Sequence, residues 1–241
     1  MNDRVTQTRP HRKLTDDGRR MREVLSYSRR GSRFTPSQQE AWDAHHEGWV
    51  IPDAAVDQPD FTWTPWFGRE APLVIEIGSG VGEATGVLAA ARPDCNVLAI
   101  EVWLPGVAAS LAEVASAGAD NVRFCSVDAV WAIENLVAAG GIRELWTFFP
   151  DPWPKTRHHK RRIVSPDFAG LVASRLEPGG TWRLATDWAA YAEQMLTVLD
   201  AEPGLEGGAV ERWSERPVTK FERKGRAVDR DIVDLAYRRV G

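Results

Sequence analysis

The chain has 241 residues, 43% of them hydrophobic and 27% charged, the balance of a globular protein rather than of a disordered or fibrous one. Its formal net charge of −4 argues against a wholly basic nucleic-acid-binding module. No apolar run reaches the roughly 20 residues that a bilayer-spanning helix needs, so no membrane partner is expected.

The charge is unevenly spread. Residues 1–40 hold ten Lys/Arg against five Asp/Glu, and the remainder holds 20 against 29. Met1 to Pro10 has no apolar core and does not read as a secretory signal. Cys95 and Cys125 fall in or beside strand-like stretches and read as small buried side chains rather than a disulfide or metal site. A cytoplasmic protein is expected. Residues 1–33 read as a basic, flexible arm, and residues 34–241 as one domain. Within the arm, Tyr27-Ser-Arg-Arg-Gly-Ser-Arg33 interleaves an aromatic with bases. It reads either as a solvated tail or as a segment that orders on nucleic acid.

Thr35 to Trp42 looks like a helix start, with Ser37 as cap and Glu40 three residues on. Trp63, Trp66 and Phe67 are expected to pack on the domain edge. From Leu73 strands and helices alternate. The run Leu73–Ile77 reads as a strand and is followed by Gly78, Gly80 and Gly82, then by a helix over Ala84–Ala91. Strand, glycine turn and helix form the first crossover of a nucleotide-binding α/β sheet. Dinucleotide sites favour G-x-G-x-x-G. Here the spacing is G-x-G-x-G, and Glu76 in the strand would repel a pyrophosphate while suiting the cationic methionine moiety of S-adenosylmethionine.

Further strands are expected over Asn96–Glu101, Val122–Ser126, Leu145–Phe149 and Thr181–Ala185. Helices are expected over Leu104–Ala117, Pro166–Leu176 and Ala189–Leu199. Residues 201–210 read as a loop, and Glu211–Arg216 and Asp231–Val240 as two closing antiparallel strands. The sum is a Rossmann-like α/β fold with a mostly parallel, seven-stranded sheet and helices on both faces.

Ligands of open α/β sheets lie beyond the carboxyl ends of the strands. Glu76, Glu101, Asp128 and Asp151 all fall at or near such ends, which points to a site. Glu101 suits ribose hydroxyls. Asp128 suits an adenine amino group or, alternatively, a helix cap before Ala129. Asp151 stands between two prolines in Pro150-Asp-Pro-Trp-Pro-Lys155, where the backbone is restricted. A basic run follows, Thr156-Arg-His-His-Lys-Arg-Arg162. Cations beside a methyl-donor pocket favour a phosphate-bearing substrate, and Trp153 offers a stacking surface. A small-molecule methyltransferase would have no use for that run. A nicotinamide enzyme would not favour Glu76. A noncatalytic RNA-binding protein would not need the acids.

Four motifs occur together and in order: Glu76-Ile-Gly-Ser-Gly80, Pro150-Asp-Pro-Trp-Pro-Lys-x-Arg-His-x-Lys-Arg-Arg162, Thr186-Asp-Trp188 and Arg216-Pro-Val-Thr-Lys-Phe-Glu222. They resemble the bacterial tRNA (guanine-N7-)-methyltransferases, class I S-adenosylmethionine-dependent enzymes, over about residues 27 to 240. The resemblance implies S-adenosylmethionine as cofactor, tRNA as partner and methylation of guanine 46 in the tRNA variable loop. It implies cofactor binding by Glu76, Gly78, Gly80, Glu101, Asp128 and Asp151, with Asp151 also catalytic. It further implies substrate binding by Lys155, Asp187, Thr219, Lys220, Phe221 and Glu222, and RNA contacts from Arg157, His158, His159, Lys160, Arg161 and Arg162. No metal and no protein partner are expected, and a monomer or homodimer would serve. Ser79 departs from the larger residue usual in the family.

Overall fold

The computed structural model describes residues 24–27 and 31–241. The first helix, α1 (Pro36–Trp49), is capped by Thr35, whose side chain accepts from Gln38 N while the Gln38 side chain returns to the Thr35 N–H. The capping box therefore lies two residues before the expected Ser37, because Pro36 suits the first helical position. A two-residue strand, β1 (Val50–Ile51), and two single-turn helices, α2 (Asp53–Val56) and α3 (Thr64–Phe67), lead into the sheet. Phe67 is buried, and the indole of Trp63 donates to Leu136 O at 2.9 Å, so the aromatics do pack on the domain edge.

The alternating part comprises β2 (Leu73–Ile77), α4 (Glu83–Ala90), β3 (Asn96–Ile100), α5 (Leu104–Ala117), β4 (Val122–Cys125), α6 (Ala129–Leu136), β5 (Ile142–Phe148), α7 (Pro166–Arg175), β6 (Leu176–Thr186) and α8 (Ala189–Asp200). It closes with β7 (Leu205–Val210), α9 (Lys220–Arg226) and β8 (Val233–Arg239). Among the described residues the sheet runs β1-β4-β3-β2-β5-β6-β8-β7, and β8 alone runs against the direction of the other strands. The described residues form eight strands rather than seven, because Val50 and Ile51 pair with Phe124 and Cys125 and extend one edge.

Successive strand residues point to opposite faces, and both faces here are apolar, as in parallel sheets covered by helices on both sides. Val74, Val97 and Val122 meet α1, α4 and α5, whereas Ile75, Leu98 and Ile100 meet α6, α7 and α8. Cys95 and Cys125 are buried and form no disulfide among the described residues.

The C-terminal region departs from the sequence reading. Residues 205–210, expected as loop, form β7, while Glu211–Arg216 is irregular. Gly207 hid the strand. A Cβ there would stand 2.0 Å from Ala236 O, so the close pairing of β7 with β8 requires glycine. Glu177–Gly180, left between the expected helix over Pro166–Leu176 and strand over Thr181–Ala185, instead forms an irregular start to β6, with a register shift against β5 between Ile142 and Glu144.

Candidate active site

The carboxyl ends of β2, β3, β4 and β5 converge on one pocket, as the topology requires. Its lining includes Glu76, Gly78, Ser79, Gly80, Glu101, Asp151, Thr219 and Phe221. The glycine turn is set by backbone need. Gly78, Gly80 and Gly82 have φ of 74°, 61° and 85°, values that residues with a Cβ rarely adopt. Gly82 also lies against α5, where a Cβ would come within 2.7 Å of Ser110 Cα.

Glu76 is 3% exposed and accepts a bond of 2.6 Å from Thr85 Oγ1. Burial pushes its carboxyl up to about 7 against the Thr85 bond, and the charge of Glu101 adds to the rise. Glu101 spans the turn, accepting from Gly80 N at 2.9 Å and from Trp103 N at 2.8 Å. Ser79 Oγ is buried with no hydrogen-bond partner among the described residues, a group that a bound ligand would satisfy. Asp128 caps α6, its Oδ1 accepting from Trp131 N at 3.1 Å, and its neighbours Val127 and Ala129 line the pocket.

Asp151 enters the pocket on a strained segment. Phe149 and Trp153 hold φ of 50° and 45°, an uncommon conformation for side chains of that size. Phe149 N donates to Ala185 O at 2.7 Å, which ties the segment to β6. Trp153 is not an open stacking surface. The Arg161 guanidinium lies 3.5 Å from its ring centre, and its indole donates to Ser26 O at 3.1 Å. Arg161 in turn donates to Leu25 O and Tyr27 O, and Ser26 and Tyr27 line the pocket. Part of the basic arm is thus held at the site. Of the arm expected over residues 1–33, residues 1–23 and 28–30 lie outside the described residues.

The basic run divides. Thr156–Arg161 is a 3-10 helix that leaves Arg157 and Lys160 exposed, with His158 and His159 partly so. Burial and the nearby Arg157, Arg161 and Lys155 push His158 below its ordinary range. Arg162, expected on the RNA face, is 4% exposed and points inward. It donates to Pro152 O at 2.8 Å and to Gln194 Oε1 at 2.5 Å, and so braces the proline-rich loop.

The remaining expected substrate residues also separate. Thr219 and Phe221 line the pocket, whereas Lys155 is exposed and outside its lining. Asp187 pairs with Arg230 at 2.8 Å, outside the pocket wall. Glu222, expected to meet substrate, is fully buried and bonded by Arg212, Arg216 and Arg226. Burial alone would raise its carboxyl, but Arg212 and Arg216 outweigh it and hold Glu222 below the ordinary range. No cluster of three or more side chains suited to a metal ion occurs among the described residues.

Residues 70–235 match the model of a family described as "Putative methyltransferase". A tRNA (guanine-N(7)-)-methyltransferase of Nocardioides sp. is 66% identical over 239 residues, covering 99% of this chain and 96% of its own. One from Cutibacterium acnes is 46% identical, covering 91% and 84%. The chain belongs to the tRNA (guanine-N(7)-)-methyltransferase family. Among solved structures, the 16S rRNA methyltransferase KamB matches with a TM-score of 0.53 at 17% identity, covering 92% of this chain and 100% of its own. That likeness concerns the fold alone.

Membership brings S-adenosylmethionine as cofactor, and the residues lining the pocket fit it. The buried acid Glu76 suits a cationic ligand, the glycine turn admits close approach, and Ser79 Oγ awaits a partner. The sequence reading missed Glu83 and Ser26, which also line the pocket. Glu83 opens α4 and Ser26 lies in the arm, and only the fold brings them there.

Proposed function

We propose that this family member methylates N7 of guanine 46 in the tRNA variable loop, with Asp151 as the catalytic residue. One observation carries the reading: Asp151, Thr219 and Phe221 share a single pocket with Glu76, Gly80 and Glu101, the residues read as binding the donor. When bound, S-adenosylmethionine supplies an electrophilic methyl group. Guanine N7 has a lone pair and no proton to lose, so no general base is required. The chain's part is alignment and electrostatic support. Asp151, fixed by the strained segment, faces the purine edge and favours the positive charge that develops on it. Thr219 and Phe221 border the acceptor from α9. Arg157 and Lys160, with Lys155 and the two histidines, meet flanking phosphates. Asp187 holds Arg230 behind the acceptor wall. The chain acts in the cytoplasm as a monomer or homodimer and needs no protein partner.

The test uses labelled S-adenosylmethionine and two transcripts, one with guanine and one with adenine at position 46. Label entering only the guanine transcript, recovered as 7-methylguanosine, is the expected result. Label in both transcripts would refute the position. Asp151→Ala should lose about 100-fold or more in kcat with unchanged circular dichroism, and near-normal turnover would remove its catalytic role.

A further inference from the structure

Glu83 makes two contacts that the reaction described above does not use. It is the first residue of α4, directly behind the glycine turn, and it lines the pocket. Its Oε2 accepts from the backbone N–H of Lys220 at 2.5 Å, and its Oε1 pairs with Arg223 Nη2 at 2.5 Å. Both partners lie in α9, 137 and 140 residues further along the chain. Arg223 is steadied by a second bond, from Nη1 to Val218 O at 2.6 Å. A carboxylate on the donor side of the pocket therefore grips the helix that carries Thr219 at its cap and Phe221 in its first turn.

The exposure of the pair indicates what these contacts are for. The Arg223 side chain is 56% exposed and that of Glu83 26%. A partly solvated ion pair of this kind adds little to stability, so its consequence belongs to geometry rather than to the fold. Misplacing reacting groups by a fraction of their separation costs far more in rate than such a pair returns in stability. We propose that Glu83 is a positioning residue: it clasps α9 across the mouth of the donor pocket and sets Thr219 and Phe221 against the acceptor base. The inference rests on the reading of those two residues as acceptor-side groups.

The experiment is a double-mutant cycle with Glu83→Gln and Arg223→Gln in the full chain. It reads kcat, KM for tRNA, the rate of S-adenosylmethionine release and Tm. Each single variant should lower kcat about tenfold and speed cofactor release by a similar factor, with KM for tRNA and Tm close to wild type. The double variant should match the worse single, because both substitutions remove one interaction. Arg223→Lys should recover most of the activity. Losses that multiply in the double variant, or release rates that do not move, would overturn the clasp. Wild-type turnover on the guanine transcript tests the acceptor reading separately. If that fails while release still responds to both substitutions, the acceptor reading falls and the clasp stands.

Discussion

Glu76 shows how one buried atom group can set stability and ligand affinity against each other. Its carboxyl ordinarily titrates near 4.5 and is pushed up to about 7 in the folded chain. The folded state therefore binds the proton more tightly than the unfolded one. The corresponding stability is fully present below about pH 4.5 and is lost as pH rises to about 7, a difference of about 3 kcal/mol. A cationic donor prefers the ionised acid, so its binding should tighten as pH rises through that same upper value. Glu76→Gln, neutral at every pH, should raise Tm above pH 7 while weakening S-adenosylmethionine binding and flattening its pH dependence. Calorimetric titrations from about pH 6 to about pH 8 check this. A variant that keeps the wild-type pH dependence would show that another group is responsible.

Among the elements, α9 is the one whose position depends on buried charge. Arg216 is 1% exposed and bridges Glu222 to Asp234, with its guanidinium 5.6 Å and 5.3 Å from the rings of Phe148 and Phe149. The network thus joins α9 to the strand end that delivers Asp151. Breaking a buried pair strands its partner, at a cost of roughly 3–5 kcal/mol. Glu222→Ala should lower stability by about that amount in urea denaturation, and a loss under about 1 kcal/mol would mean that Arg212, Arg216 and Arg226 find water instead. The central strands β2 to β6 were legible because apolar runs end at glycine, proline or acidic residues. α9 was not, because Lys220-Phe-Glu-Arg-Lys-Gly-Arg226 has no apolar stripe; Thr219 capping and ion pairs hold it. Glu76, Glu101 and Asp151 were legible as strand-end acids. The opposite fates of Arg161 and Arg162 were not, because in a run of like charges only the end of the 3-10 helix decides which side chain turns inward.

At the scale of the molecule, an overall acidic chain must bind an acidic polymer through local cation density. Neutralising Lys155, Arg157 and Lys160 together should lower the slope of log affinity for tRNA against log salt by roughly 0.7–0.9 for each phosphate no longer neutralised. Arg162→Gln should instead lower stability and leave the slope unchanged. Filter binding across a salt series separates the two, and an unchanged slope in the triple variant would move the RNA face elsewhere. The sheet order carries a consequence of another kind. β8 follows every other strand in the chain yet lies between β6 and β7. Synthesis proceeds from the amino terminus, so β7 leaves the ribosome with no neighbour to pair with, and β6 keeps a bare edge of the kind that invites aggregation. Thr219, Phe221 and α9 sit on the excursion between β7 and β8 and gain their anchor at Asp234 only when β8 arrives. The nascent protein can thus assemble its glycine turn well before β8 anchors the segment that carries Thr219 and Phe221.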